Sequence, residues 1–521
     1  MQGRLILHAA VHFLRSFRSC KVQIGLGIAA WMNGASKELM TILHHSCLSM
    51  SYASINSILG ALADSALDKA RQVASGPHAL AYDNINISTS IFVEQVPGMP
   101  NKVQSGTFAV IYELLNANLG HMDIQPIVER LKSSSPLLLS DLRPGKDAMM
   151  SYSTQVTVNI CKILFKYVNG LEEISTDSLF RHPSRRQMPS GCITKFHPLR
   201  VATIEEASTE GNLLVHDDVY TVQLARDPHD LKNMAIPSFN DQLTNARIRG
   251  AQELRRHDID AWERREVFQL AFGTFHLVMN FMNAILQMHR GTLQQIGSFS
   301  YFFTILEKTR LNSDHPDFHT LLATFTQIIE GLILNAWHLE CGTSSLEDFV
   351  KSNPSAEFIF EKARKIFAEY ATPKVALSCI SQAVNPRVPA RRFKDVHLNT
   401  DGGNRDPDSE NLDSETDNLP EASDATSRPK VDIVHDNVVL MMRDLLYLLE
   451  LNSAIQTGDW GRIEDILPAL ACIFRGAGSN NYSTEILHLL FNIKKVWTPE
   501  FALVLYSSQI QVLHFLINAL L

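Results

Sequence analysis

No CxxC pair occurs among the seven cysteines of this 521-residue chain, and their odd number rules out a complete disulfide framework. A reducing, intracellular compartment is the expectation. The chain also lacks the GxxxxGKS/T, GxGxxG and GxSxG signatures, so it carries no motif for a nucleotide or other small-molecule cofactor and no nucleophile elbow. A dominant charge of one sign is missing too. The formal net charge of -8 excludes a chain that is basic throughout, and any contact with nucleic acid must be regional. His182, Cys192 and His197 in RHPSRRQMPSGCITKFH do not have the spacing of a zinc site and lack a fourth ligand.

Long apolar runs are nearly absent. FALVLYSSQIQVLHFLINALL, residues 501–521, has no formal charge and reaches the span of about 20 residues that a bilayer requires. Ser507, Ser508, Gln509, Gln511, His514 and Asn518 dilute it, so a buried terminal helix is expected and no membrane partner. MQGRLILHAAVHFLRSFRSCK carries Arg4, Arg15, Arg18 and Lys21 with no acid. It reads as a first helix with a basic face in preference to a transit peptide.

What is present is a sequence that is 45% hydrophobic, enough to bury a large core in two to four folding units. Residues 1–75 are helical, with a helix-turn-helix-like pair broken at Cys47-Leu48-Ser49 and a cap for the second helix at Ser49 or Ser51. That second helix offers no Arg or Lys near its start, so two packed helices of an all-α region is the other reading. Residues 76–274 alternate strand-like runs (HALAYDNINIS, GTFAVIYEL, DDVYTVQLA, MAIPSF, REVFQLAF) with helical stretches, the pattern of an α/β core with a mixed sheet. Residues 275–398 form a mainly α-helical insertion. Residues 399–430 are acidic and nearly free of apolar side chains, hence a disordered loop, and residues 431–521 return to helix and complete the core.

Carboxylates supply the chemistry. Asp83 stands in the middle of a strand, where Asp is depleted. Asp241, in FNDQLTNARIRGAQ, ends another strand, and on spacing alone it reads first as a helix N-cap. Glu485, in NNYSTEILHL, lies in the first turns of a late helix, where the helix dipole also favours it. Two strand acids and a Glu after a helical insertion are the donors that Mg²⁺, a hard cation, takes for phosphodiester chemistry. Arg247 and Arg249 on the helix after Asp241, and Arg185 and Arg186 in the basic loop, are candidate phosphate contacts. The cluster Arg387–Lys394 is too short for a nuclear signal. His276, on an apolar helix start, reads as a core histidine, with a base in the same pocket as the alternative.

The blocks AYDNINI, PSFNDQLTNARIRGAQ, VFQLAFGTFHLVMNFMNAIL and the NYxxE segment around Glu485 resemble a large fungal domain family of unknown function, number 6589, over residues 30–500 or so. The family resembles transposon-derived proteins with an RNase H-like core and a helical insertion before the final Glu. That resemblance implies a Mg²⁺-dependent transposase or nuclease with Asp83, Asp241 and Glu485 as catalytic ligands, DNA as partner and a nuclear location. Two departures stand out. Asn240 replaces the family's Gly before DQLT, and the family's continuation after Phe501 is missing, as in a truncated or inactive copy. The competing expectation is a non-enzymatic interaction or scaffold protein in which these carboxylates are caps and surface groups.

Overall fold

Four of the five strand-like runs form strands. The computed structural model describes residues 2–88, 103–114, 117–189, 191–313, 316–373 and 432–505. The acidic stretch 399–430, the basic cluster 387–394 and residues 506–521 of the terminal apolar segment lie outside the described residues. The described residues divide into two compact units, one drawn from 1–137, 188–276 and 488–521 and the other from 138–187 and 277–487.

The first unit holds a five-stranded mixed sheet, in the order β3-β2-β1-β4-β5. Its strands are β1 (His78–Ser88), β2 (Val103–Glu113), β3 (Phe196–Pro198), β4 (Ile236–Asn240) and β5 (Phe268–Phe272). β1 pairs antiparallel with β2 and β2 antiparallel with β3, whereas β1–β4 and β4–β5 are parallel. All five residues of β4 are buried, as a strand with parallel neighbours and both faces covered requires. Leu80 and Tyr82 of β1 and Ala109 and Ile111 of β2 enter one core with Tyr220, Trp262 and Phe268.

The run DDVYTVQLA is not a strand. It continues helix Thr209–Asp217 into a π-helical turn, Asp218–Gln223. Its β-branched and aromatic residues have strand preference, but Val215, Val219, Tyr220 and Leu224 reach the core while Val222 is exposed. That burial follows helical spacing and not alternation, so packing overrides the residue preferences.

Four helices, Gln2–Arg15, Lys21–Met32, Lys37–His45 and Tyr52–Ala74, precede the sheet. The break falls where expected, and Ser51 is the cap, its Oγ accepting from Ser54 N at 3.1 Å. Leu67, Ala70 and Ala74 carry the last of these helices onto the sheet core.

The second unit is helical, with long helices Lys146–Tyr167, Phe318–Glu340, Ala356–Tyr370, Ile433–Thr457 and Trp460–Gly476. Its interior carries a charged knot. The buried Glu450 carboxylate accepts from Arg462 Nε and Nη2 at 2.7 and 2.8 Å and from Asn159 Nδ2 at 2.9 Å. Burial raises the Glu450 pKa and the Arg462 guanidinium opposes it. At Gly461 an added Cβ would stand 2.6 Å from Arg185 Cβ, so glycine lets the chain at 185–186 lie against this helix. Among the described residues no helix is long and apolar enough to cross a membrane.

Replacing Arg462 by Met strands a buried carboxylate and should destabilise the protein by about 3–5 kcal/mol, whereas the paired replacement of Glu450 and Arg462 by Met should regain most of that. Urea midpoints measure both, and equal losses in the single and double variants would show that the knot is not what Arg462 provides.

Candidate functional site at the ends of the parallel strands

Register brings two of the expected carboxylates level. In the parallel pair β1–β4, Ala81 lies opposite Phe239, so two residues further on Asp83, still paired with Phe108 of β2, and Asp241, just past the end of β4, come level where the parallel pairing stops. In β4–β5, Asn240 lies opposite Phe272, and Gly273 N donates to Asn240 O at 3.0 Å. Helix Thr274–His289 therefore starts at the same edge. The carboxyl ends of adjoining parallel strands are where open α/β sheets bind ligands, because chain ends diverge there and leave a crevice.

Asp83 turns away from the core that Tyr82 enters, and its side chain is 59% exposed. Its Oδ1 accepts from Asn84 N at 2.9 Å, and its Oδ2 lies 3.4 Å from His276 Nε2. Burial pulls the His276 imidazole down, but the hydrogen bond with Asp83 and the charges of Asp83 and Asp241 together outweigh it, so its pKa is raised. Asp241 is the N-cap of helix Gln242–Leu254, accepting from Thr244 N at 2.6 Å. Asn240 is buried and needs no left-handed backbone. Its Nδ2 donates to Ser238 Oγ and Asn245 Oδ1, both at 3.0 Å, and Asn245 Nδ2 reaches Ala271 O on β5. Asn240 thus braces the turn that carries Asp241.

A third carboxylate, Glu206, joins them and was not expected. It lies in the segment between β3 and helix Thr209–Asp217, whose backbone is fixed from several sides. Asn212 Nδ2 donates to Glu206 O at 2.7 Å, Arg247 Nη1 to the same oxygen at 3.3 Å, and Thr107 Oγ1 to Ile204 O at 2.7 Å. Tyr82 OH completes the link by donating to Asn212 Oδ1 at 2.7 Å. The Glu206 side chain is 3% exposed and its Oε2 has no hydrogen-bond partner. Burial, then the charges of Asp83 and Asp241, push its pKa to about 8, with Arg247 and the Thr244 hydroxyl pulling the other way. Nothing in the sequence marks it. Glu206 precedes the cap Ser208, where an acid reads as a solvated group near a helix dipole.

The remaining expected residues divide by unit. Arg247 and Arg249 are half-buried on helix Gln242–Leu254, and residues two apart on a helix do not share a face. Glu485 is buried on helix Asn480–Phe491, in the second unit. Arg185 and Arg186 also belong there. Arg185 forms a bidentate pair with Asp465 at 2.8 and 3.0 Å, Arg186 pairs with Glu464, and their backbone N–H groups both donate to Asp459 at 2.8 Å. Either arginine would have to leave its carboxylate to meet a phosphate. His182 donates or accepts at Nδ1 with Gln155, and burial, then the charges of Arg462 and Lys162, pull it down to about 3.

Asp83, Glu206 and Asp241 offer oxygen donors of the type Mg²⁺ takes, and the unpartnered Glu206 oxygen is a polar atom that a cation would satisfy. Among the described residues no three His, Cys, Asp or Glu side chains are gathered closely enough to hold an ion as they stand. The donor chemistry fits. Closure around an ion would require side-chain rotation, which the exposed Asp83 can supply.

A small mixed sheet with an acidic cluster at the ends of its parallel strands, joined in one chain to a helical unit, defines the class of protein. A family of unknown function, DUF6589, matches residues 131–510, and the chain belongs to that family. Glu206, Asp241, His276 and Glu485 fall within the match and Asp83 precedes it. No curated protein and no solved structure matches the chain.

The raised Glu206 pKa has a definite sign in stability. Below about 4.5 Glu206 is protonated folded and unfolded. Between about 4.5 and 8 the unfolded chain releases the proton and the folded one keeps it, so stability falls, then levels off above 8. At about 1.4 kcal/mol per unit, wild type should lose a few kcal/mol over that range relative to E206Q. Urea unfolding at pH 5 and pH 8.5 measures this, and parallel pH profiles would contradict it.

Proposed function

We propose that the carboxylate cluster of the first unit is a divalent-cation site for phosphodiester chemistry on DNA, and that the protein is a nuclease or strand-transfer enzyme of transposase type. The observation that carries this is Glu206, a buried carboxyl with an unpartnered oxygen, set against Asp83 and Asp241. Burial and the charges of Asp83 and Asp241 oppose the ionisation of Glu206, an opposition that a cation bound among them would relieve. The sheet supports the same reading. A central first strand, antiparallel second and third strands and parallel fourth and fifth strands are the arrangement expected of an RNase H-like core, with Asp83 within the first strand and Asp241 just past the fourth.

A bound Mg²⁺ would activate the attacking water or hydroxyl and neutralise charge on the phosphate. The chain's own groups do the rest. Asp83 and Asp241 orient, Asp241 through a fixed helix cap. Glu206 would release its proton to solvent on taking up a cation. His276, its pKa raised beside Asp83, presents Nε2 at the cluster as the proton carrier for a departing alkoxide. Arg247 anchors the Glu206 segment and offers the remainder of its guanidinium to a phosphate. A DNA substrate implies an intracellular, nuclear protein.

A second reading, an interaction or scaffold protein, is favoured by Asp241 already being engaged as a cap and by the side chains not being gathered around a point. Stability and activity separate the two. As a cation site, the cluster should make D83N more stable than wild type without metal, Mg²⁺ should raise the wild-type melting temperature at pH 8, and Mg²⁺-dependent nicking of plasmid DNA should fall at least ~100-fold in D83N and D241N. As a scaffold, D83N should be neutral, D241A should cost about 1 kcal/mol as a lost cap, and Mg²⁺ should change nothing. The third carboxylate is assigned by comparison. Loss of nicking in E206Q with retention in E485Q supports Glu206, and the reverse returns the role to Glu485.

A further inference from the structure

The basic N-terminal helix of the sequence reading acquires a second property in the structure, a bare apolar stripe. On helix Gln2–Arg15, Leu7, Val11 and Leu14 follow one another at i, i+4 and i+7 and so lie along a single line of the helix surface. Each is at least 50% exposed, as is Phe17 just beyond the helix end. The inward side is held by Phe13, 2% exposed and in edge-to-face contact with Phe17 at 5.2 Å. The helix is therefore anchored through one side and leaves another apolar side uncovered.

The next helix continues this surface. Leu26, Trp31 and Met32 of Lys21–Met32 are exposed. Ile6, Leu26 and Leu43 line an open apolar cavity of about 460 Å³ between these helices. The charge beside the stripe is of one sign. Arg4, His8 and Arg15 occupy the adjoining line of the first helix, Arg18 and Lys21 follow, and no acid precedes Glu38. All of these basic side chains are exposed.

We propose that this face, independently of the carboxylate site, binds an anionic lipid surface, with helix Gln2–Arg15 lying in the plane of the membrane and Leu7, Val11, Leu14 and Phe17 entering its outer acyl region. The chemistry favours this occupant over two others. A second copy of the chain would bring the same uncompensated arginines together, at a cost in like-charge repulsion. A nucleic-acid backbone would accept the arginines but leave the leucines and Phe17 in water. An anionic bilayer takes both, since apolar residues beside Lys and Arg are the composition of interfacial helices.

The test is co-sedimentation of the full chain with sucrose-loaded vesicles of phosphatidylcholine alone or with 30% phosphatidylserine, at low and high salt. The proposal predicts binding to the anionic vesicles at least ten-fold stronger than to the neutral ones, weakening as salt rises. The variants L7S/L14S and R4Q/R15Q should each lose at least ten-fold, with circular dichroism unchanged because all four positions are exposed. Three results would overturn it. One is no preference for anionic vesicles. Another is vesicle binding insensitive to L7S/L14S and matched by binding to random duplex DNA, which would mark a polyanion surface only. The last is a lipid-free dimer that L7S/L14S dissociates, which would mean a second copy covers the face.

Discussion

The parallel pairing of β1 with β4 is the constraint on which the site depends. Because Ala81 stands opposite Phe239, the residues two steps on, Asp83 within β1 and Asp241 just past β4, must come level, and a shift of one residue would carry Asp83 to the core side and bring Tyr82 out. The register is itself secured by burial. Leu80 and Tyr82 have no other place than the core they share with Ile111 and Phe268, and β4 is buried along its whole length. The apolar side chains thus fix the position of the polar ones.

Electrostatics then gives the site its character. Glu206 is held beside Asp83 and Asp241 by contacts to its backbone, from Asn212 and Arg247, and not by any partner for its Oε2. A buried carboxyl among two others is stable only with its proton or with a cation, and this is a binding preference built from position alone. Tyr82 feels the same field, being pushed well up by burial and then by Glu206 and Asp241, so its hydroxyl stays a donor to Asn212. The second unit treats charge differently. Glu450 is buried just as deeply, but Arg462 and Asn159 occupy its oxygens, which leaves a fixed structural knot with nothing to bind.

Much of this was legible in the sequence where local chemistry and packing agree. The strands β1, β2, β4 and β5, the Ser51 cap and the long helices all carry their own periodicity or capping residues, and the structure realises them. β3, three residues ending in Pro198, is too short to carry a pattern. The segment 217–225 carries strand-forming residues yet folds as helix, because the positions that must reach the core are spaced helically. By sequence, residues 138–187 belong with the α/β core of 76–274, and nothing local in them says that they pack with the later helices. Asp83 drew notice by being in the wrong place for an Asp, whereas Glu206 sits where a Glu is ordinary, and only its neighbours in space make it unusual. His276 was legible as a helix-start histidine but not as the partner of Asp83, since that pairing crosses the sheet.

The most direct test of the account is a crystal structure of the protein grown at neutral pH with saturating Mn²⁺, an ion visible by its anomalous scattering. The account predicts a manganese peak with carboxylate oxygens of Asp83, Asp241 and Glu206 at about 2.1–2.2 Å, the distance expected for a small hard dication, and Glu206 turned toward it. A Glu206 that remains in place with no manganese near Asp83 and Asp241 would contradict it, and would leave the cluster as a cap and a buried neutral acid in a scaffold.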